Sequence, residues 1–393
     1  MSASAFLHHE CARCGLRAAQ TALGTVSACC DGPLVSRYDF EKARKELRPG
    51  VRGVWRFRAV LPLVQGDPVT LGEGDTPLLR APRLARALGL REVWIKDESA
   101  NPTGSFKDRG LTVAVSIAKA AGVRGIVLPT AGNAGASAAA YGARAGLEVS
   151  VHAPASTPRA ILSEIRLRGA RVTEHPGSIA DAGRAAAAEA SRTGFHSVAT
   201  FREPGRLEGK KTMAYEVFEE LGRVPDAIVY PCGGGTGIVA MAQAFDEMEE
   251  LGWIGSERAR LYAVQADGCA PIADAFRRSA DRVAPWPVPA TIAAGLCVPS
   301  PFADREILAA LRRTDGGAVA VAEEEIFRAG ASLAASEGIL PCPEGAAAAA
   351  GLERLAADRT IRASDRVVLF QTGSALKYLE TWRARLASGA SPR

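Results

Sequence analysis

The sequence predicts an α/β protein built on two doubly wound open sheets, preceded by a short cysteine-containing segment. Three observations lead there. From about residue 90 onward, short apolar runs alternate with helical patterns, the mark of parallel strands covered by helices on both faces. The helical stretches are rich in alanine, the best helix former. Composition is 47% apolar and 23% charged, which excludes disorder, collagen and coiled coil. At 393 residues the chain is long enough for two or three packed units with a sizeable core.

Strands are expected at residues 92–96, 125–129, 147–153, 170–175, 227–231, 261–266, 317–322 and 366–371. Each is a short apolar run bounded by turn residues. Between them the stretches ASAAAYGARAG, KKTMAYEVFEELG, IVAMAQAFDEMEELG and EEEIFRAGASLAASEG read as helices. A further helix, LTVAVSIAKAAG, follows NPTGSFKDRG, where Ser105 and Asp108 have the spacing of a capping box with Ser105 as N-cap. PWPVPAT near residue 288 is a loop. No internal repeat is found. The expected domains are 1–60, an N-terminal ribbon-like segment and linker; 61–112 with 201–393, a large ligand-binding domain; and 113–200, a small mobile domain.

Charge excludes several partners. The net charge of +5 is modest and interspersed, so no polybasic tail announces a nucleic acid. The stretch from Arg37 to Arg58 is the exception, with Arg37, Lys42, Arg44, Lys45, Arg48, Arg52, Arg56 and Arg58 against Asp39, Glu41 and Glu46; it reads as a solvated linker or helix face. No apolar run reaches membrane-spanning length and the N-terminus lacks a signal peptide's apolar stretch. A cytoplasmic protein acting on a small molecule, without membrane or nucleic acid, is expected.

Eight cysteines divide unevenly. Cys232, Cys269, Cys297 and Cys342 are scattered and read as free thiols. Cys11, Cys14, Cys29 and Cys30 crowd the first thirty residues. Cys11-Ala-Arg-Cys14-Gly is half a zinc knuckle, whereas SACCDG offers adjacent cysteines in place of the two-residue gap. Cys11, Cys14 and Cys30 are the candidate ligands, with His8 or His9 as a possible fourth, and the incomplete second half counts against zinc.

Four sites carry the chemistry. Lys107 falls in the first helical turn, where unpaired N–H groups and the helix dipole disfavour an ammonium. The strand AIVYP runs into Cys232-Gly233-Gly234-Gly235-Thr236-Gly237 and then a helix, a turn whose backbone donors suit a phosphate. The Walker phosphate loop and the dinucleotide fingerprint are both unmatched. A second strand-to-helix junction carries Thr130, Gly132 and Asn133, and a third places Thr372 after the last strand. Any one of these has an ordinary reading as a cap or tight turn. Together they fit one ligand that needs an amine to meet an aldehyde, a phosphate cup, an amide beside a phenolic oxygen and a hydroxyl beside a ring nitrogen: pyridoxal 5'-phosphate. A dipole that lowers the pKa of Lys107 prepares it for a Schiff base. The chain has eight lysines. Lys42, Lys45, Lys119 and Lys377 fall in exposed-looking contexts, Lys96 lies on a strand, and Lys210 and Lys211 are paired at a helix start.

The order and spacing of GEGDTPLL, KDESANPTGSFKDRG, AGNAGASAAA, RLEGKKTMAYEVFEELG, PCGGGTGI, EGILPCPEGAAAAAG and QTGSALK resemble the threonine synthases, within the tryptophan-synthase-β-like, fold type II group of pyridoxal phosphate enzymes. The resemblance implies a cofactor site in the cleft between two α/β domains and a homodimer. It implies that Lys107 holds the cofactor and shuttles protons, Asn133 bonds its O3', Gly233, Gly234, Gly235, Thr236 and Gly237 cradle its phosphate, and Thr372 bonds its pyridine nitrogen. A neutral hydroxyl there suits elimination and replacement over transamination. Ser105, Thr130, Ser197, Arg206 and Lys210 are the candidates to hold the substrate, which in this family is O-phospho-L-homoserine, converted with water to L-threonine and phosphate. The N-terminal cysteines are similar to the zinc ribbon of some members, with Ser27 at a ligand position.

The chain departs from the family on the substrate side, with Thr130-Ala131-Gly132-Asn133 in place of Ser-Thr-Gly-Asn, Ser197-Val198-Ala199 in place of Ser-Val-Asn, and Ser374-Ala375 where a His-Gly pair is common. A replacement enzyme acting on another O-activated amino acid such as O-phosphoserine, and a serine or threonine dehydratase, therefore stand as alternatives. Nucleic-acid binding through the cysteine segment is a more distant one.

Overall fold

The structure, a computed structural model, describes residues 3–18, 23–47 and 52–387; Arg48 of the basic stretch lies outside them. In chain order the elements are β1 (Phe6–Cys11), β2 (Leu34–Tyr38), α1 (Phe40–Glu46), β3 (Leu78–Arg80), α2 (Pro82–Ala87), β4 (Glu92–Asp97), α3 (Lys107–Ala120), β5 (Gly125–Pro129), α4 (Asn133–Ala145), β6 (Glu148–Pro154), α5 (Arg159–Leu167), β7 (Arg171–His175), α6 (Ile179–Thr193) and β8 (His196–Ser197). Then follow α7 (Gly205–Leu221), β9 (Ala227–Pro231), α8 (Thr236–Glu250), β10 (Arg260–Ala266), α9 (Pro271–Arg277), α10 (Asp304–Arg313), β11 (Gly317–Val321), α11 (Glu323–Glu337), α12 (Pro343–Ala357), β12 (Arg366–Gln371) and α13 (Leu379–Ala387).

Packing divides the chain into two compact units. The first comprises Met1–Asp75, Asn101–Tyr215 and Asp246–Gly255; the second comprises Thr76–Ala100, Glu216–Phe245 and Ser256–Arg393. These boundaries differ from the expected ones. The N-terminal segment and the helix that Lys107 begins fall in one unit with residues 113–200, because Val54, Trp55, Leu61 and Leu63 pack with Val113 and Ile117 of α3 in one apolar cluster.

The first unit holds an all-parallel four-stranded sheet of order β7-β6-β5-β8. Ile126, Val127 and Leu128 of β5 are buried, as a strand covered on both faces must be. Chain order runs from β5 outward to β6 and β7, then returns to β8 on the other side of β5. The switch point of this sheet is therefore at the ends of β5 and β8. The N-terminal hairpin β1-β2 is antiparallel and is tied to α7 by buried polar groups: Ser36 N–H and Tyr38 Oη both donate to Glu208, at 3.2 and 2.7 Å. Glu208 in turn pairs with Lys211 at 2.6 Å, and Lys211 with Glu247 at 2.7 Å.

The second unit holds a six-stranded sheet of order β11-β10-β9-β12-β4-β3, parallel except for β3, which runs antiparallel to β4. From β9 the chain steps outward to β10 and β11, then returns to β12 beside β9, so the switch point lies at the ends of β9 and β12. Ala346 to Ala350 of α12 are all buried in the core that also holds Val229, Val264 and Leu369. Small side chains let this helix lie close to the sheet, and a Cβ on Gly351 would run into the Val264 side chain. Lys96 is also structural: fully buried, it pairs with Glu216 at 3.1 Å and Glu220 at 2.6 Å.

The expected strands all form, within a residue or so at their ends. The capping box does not. Phe106 is the N-cap residue of α3 and no side chain caps that end. Asp108 instead takes Thr103 as its partner, accepting from the backbone N–H at 2.6 Å and the hydroxyl at 2.5 Å, so the motif ties down the loop ahead of the helix. Among the described residues no helix is long and apolar enough to cross a membrane.

Candidate active site

Open α/β sheets bind ligands outside the carboxyl ends of their strands at the switch point, and each unit presents its candidate residues there. In the first unit, β5 delivers the turn Thr130 to Asn133 and β8 ends at Ser197. The Thr130 hydroxyl is spent on its own turn, accepting from Gly132 N–H at 3.0 Å and Gly135 N–H at 3.3 Å. Asn133 opens α4, but the N-cap is Gly132 and no side chain caps that end, so the asparagine is not the cap.

Lys107 is the first residue of α3. It is half-buried, with Nζ 3.7 Å from the centre of the Phe106 ring. Ser105 beside it is completely buried, and among the described residues its hydroxyl finds no hydrogen-bond partner. A buried hydroxyl left so costs about 1–3 kcal/mol, an arrangement that a bound ligand group relieves. Arg206 and Lys210 come from α7. A Cβ on Gly110 of α3 would lie 2.5 Å from Arg206 O and 2.7 Å from Lys210 Nζ, so only glycine allows these helices to approach so closely. Lys210 Nζ lies 5.8 Å from the same Phe106 ring.

Burial dominates the electrostatics of this cluster. Lys210 Nζ donates to Arg206 O at 2.6 Å; burial, then the charges of Arg206 and Lys107, hold its pKa well below the usual ammonium range, with Glu203 opposing. Burial lowers Arg206 to about 10, against the pull of Glu203. Its Nη1 donates to Val198 O at 2.7 Å, while Nε has no hydrogen-bond partner among the described residues. Burial raises Glu203 to about 7 despite the N–H groups of Gly205 and Arg206 that it accepts at 2.9 and 2.8 Å. The sequence reading missed Glu203, although an acid directly ahead of Pro204 at a helix start is a legible capping signal. It placed the start of this helix five residues late for the same reason.

In the second unit, β9 delivers the glycine turn and the N-terminus of α8, and β12 delivers Thr372. Three glycines are fixed by what lies behind them. A Cβ on Gly233 would strike Gly295 O, one on Gly235 would strike Ile307, and one on Gly237 would strike the Tyr230 ring. Gly235 also has φ +75°, a conformation that glycine adopts without strain. Gly234, between them, is half-exposed. A backbone packed tightly behind and ending at a helix N-terminus is a fitting cradle for a phosphate. Thr372 is buried, its Oγ1 3.8 Å from Cys342 Sγ. Burial, with the nearby carboxyl of Glu344, raises the pKa of Cys342 and keeps it a neutral thiol. The donor set thus suits pyridoxal phosphate: an amine at a helix start, an amide, a glycine cradle and a neutral hydroxyl.

Cys11, Cys14 and Cys30 lie together, their sulfur atoms within 4.8 Å of one another. Among the described residues, neither His8 nor His9 belongs to that group.

Residues 69–373 match the family model described as pyridoxal-phosphate dependent enzyme. The chain is 34% identical to the threonine synthase of Methanosarcina acetivorans, over 95% of this chain and 93% of that one. It is 37% identical to the threonine synthase of Methanocaldococcus jannaschii, over 88% and 87%. Among solved structures it resembles threonine deaminase isoform 2 of Solanum lycopersicum, with TM-score 0.64 and 22% identity over 78% of this chain and 87% of that one. Maize serine racemase gives 0.67 and 19% over 80% and 94%. At those identities the two structures speak to the fold alone.

Proposed function

We infer the reaction from a plain membership: this chain belongs to the pyridoxal-phosphate dependent enzyme family. It acts as a threonine synthase, a lyase that converts O-phospho-L-homoserine and water to L-threonine and phosphate. The observation that carries this reading is the near full-length similarity to threonine synthases.

When bound, pyridoxal phosphate supplies an aldehyde for amines and an electron-withdrawing ring that stabilises negative charge at a substrate's Cα. The chain's own residues do the rest. In the roles we propose, Gly233 to Gly237 hold the cofactor phosphate through backbone donors, Asn133 holds its phenolic oxygen and Thr372 its ring nitrogen. Lys107 Nζ carries the link to the cofactor, then takes a proton from the substrate's Cα and another from Cβ. Breaking the Cγ–O bond releases phosphate, and water adds its oxygen at Cβ, with protons returned by the same amine. Arg206 and Lys210 draw the substrate's phosphate, and Ser105, with an unspent hydroxyl, donates to its carboxylate. Ser197, at the end of β8, lies at the same switch point as Asn133. Thr130 serves by holding the turn that presents Asn133.

The exposed side chains of Leu340, Leu376 and Leu379 support a homodimer, which light scattering of the purified protein tests. The reaction is tested by offering O-phosphohomoserine, O-phosphoserine, threonine and serine in parallel and following phosphate and ammonia. Phosphate and threonine from O-phosphohomoserine are expected. Phosphate from O-phosphoserine alone would move the assignment to another replacement reaction, and ammonia from threonine or serine alone to a dehydratase.

A further inference from the structure

Two cysteines that the reaction does not use meet behind the glycine turn of the second unit. Cys269 is fully buried in the turn that follows β10, where its N–H donates to Ala266 O at 2.9 Å. Cys297 is half-buried and ends a one-turn helix, Ala294–Leu296, its N–H donating to Ala294 O at 3.3 Å. The two segments run backbone against backbone. Ala290 N–H donates to Gly268 O at 3.1 Å, and a Cβ on Gly268 would strike Ala290 O. That approach brings the thiols together, so that Cys269 Sγ–H donates to Cys297 Sγ while Val298 N–H donates to Cys269 Sγ.

The same loop forms the wall behind the glycine turn. A Cβ on Gly233 would lie 2.1 Å from Gly295 O and 3.2 Å from the Val298 side chain, so residues on both sides of Cys297 touch it. Gln265 adds a second tie: its Nε2 donates to Cys232 O at 3.1 Å, and its Oε1 accepts from Ile272 N–H at 2.8 Å, beyond the turn of Cys269. A movement of either cysteine is therefore felt at the glycine turn. The hydrogen bond from Cys269 lowers Cys297 to about 7 against the effect of burial, whereas that bond and then burial raise Cys269. Burial raises Cys232 to about 12. Thiolates and not thiols react with peroxides, so Cys297 is the nucleophile of this region.

We propose that Cys297 and Cys269 are a peroxide-sensitive modification site whose disulfide loosens the glycine turn at Gly233. The Cys297 thiolate attacks one oxygen of hydrogen peroxide and breaks the O–O bond. Its sulfur is oxidised to a sulfenic acid, and the other oxygen leaves as hydroxide, which takes up the proton that the thiol gave up. Cys269 then attacks the sulfenic sulfur, the S–O bond breaks, and the hydroxide released takes the Cys269 proton. Two thiols and one peroxide thus give one disulfide and two waters. Hydrogen-bonded thiols elsewhere in this chain stand 3.5 and 3.6 Å apart, whereas a disulfide brings its sulfurs to about 2 Å. Closing the bond draws Cys297 and Cys269 together by roughly 1.5 Å and pulls Gly295 and Val298 out of register with Gly233. The consequence for the cofactor rests on the reading of Gly233 to Gly237 as its phosphate cradle.

The test treats the full-length protein, loaded with pyridoxal phosphate, with hydrogen peroxide, blocks the remaining thiols with N-ethylmaleimide and maps the peptides by mass. Cys14, Cys29 and Cys30 are exposed and react too, so the map must name the partner of each cysteine. Expected are a Cys269–Cys297 cross-link, pyridoxal affinity about tenfold weaker, as loss of one hydrogen bond to a charged phosphate implies, and recovery of both with dithiothreitol. Cys269→Ser should stop at a sulfenic acid on Cys297, trapped by dimedone, and keep its cofactor; Cys297→Ser should resist peroxide at both positions. Pyridoxal absorbance before peroxide reports the folding of each variant. Absence of the cross-link overturns the proposal, and so does a cross-linked protein that holds pyridoxal phosphate as tightly as the reduced one. A reduced chain that binds no pyridoxal phosphate defeats the cofactor reading and the loosening with it, while the cross-link is still read by mass.

Discussion

In the first unit the candidate site is made of ionisable side chains, Lys107, Arg206, Lys210 and Glu203, mounted on or beside α3 and α7. In the second it is made of peptide backbone: a glycine turn and a helix start, with a neutral hydroxyl and a neutral thiol beside them. Arg206 reaches the backbone just beyond β8 through Val198 O, and the glycine turn follows β9 directly, so two strand ends have been furnished in two ways. The side-chain half holds groups whose charge changes, which proton transfer at a substrate carbon requires. The backbone half holds groups that do not titrate near neutral pH, which suits it to keeping one ligand fixed while protons move elsewhere. On the proposed roles, pH dependence should follow the first unit and cofactor retention the second.

The sharpest break of that division is Lys107→Ala, which should lower kcat by about 10⁴-fold and cost little stability because the side chain is only half-buried. Initial rates of phosphate release measure the first effect. Borohydride reduction and peptide mapping of the unmutated protein should find the pyridoxyl label at Lys107 and nowhere else. Next in size is Gly237→Val on the backbone side. Side-chain atoms there must displace the Tyr230 ring, with a cost of about 1–3 kcal/mol; lowered Tm and pyridoxal lost on gel filtration are the readouts, with no change in the pH profile of the enzyme that keeps its cofactor.

Lys210→Met should raise KM for the phosphorylated substrate about tenfold, as loss of one charge-assisted hydrogen bond worth roughly 1.5–3 kcal/mol implies, with kcat nearly unchanged. A fall in kcat alone would move Lys210 from substrate binding into the chemistry. The smallest effect concerns Glu203. Its carboxyl sits at about 7 in the fold against an ordinary 4.5, so the folded chain binds the proton more tightly than the unfolded one. Its contribution favours the fold at low pH and is lost as pH rises from about 4.5 to 7, by roughly 3 kcal/mol at most. Glu203→Gln should therefore flatten the decline in Tm over that window. An equally steep decline in the variant would place the titrating group elsewhere.

Much of the fold was legible because its strands are apolar runs buried on both faces, a pattern that neighbours do not overturn. β12 and β9 begin and end where the sequence places them. The strands that escaped were those without such a run: β8 is two residues long, β3 is a three-residue edge, and the hairpin strands β1 and β2 read FLHHEC and LVSRY. Lys107 was legible because a cation at a helix start is anomalous by local rules. Ser105 and Asp108 misled, since the spacing of a capping box does not reveal that Thr103 is the better partner for a carboxylate that burial raises to about 6. Cys342 was read only as a scattered free thiol, because its place beside Thr372 is made by folding.

The sequence by itself determined the order of strands and helices, the lysine, the glycine turn and the hydroxyl after the last strand, because each is written in residues adjacent along the chain. Tertiary structure alone decided that β5 and β8, and β9 and β12, lie side by side, and that Arg206 and Lys210 stand next to the turn of Lys107. Those are contacts between segments far apart in sequence. They depend on which surfaces pack together and how closely backbones approach, and local patterns do not contain that information.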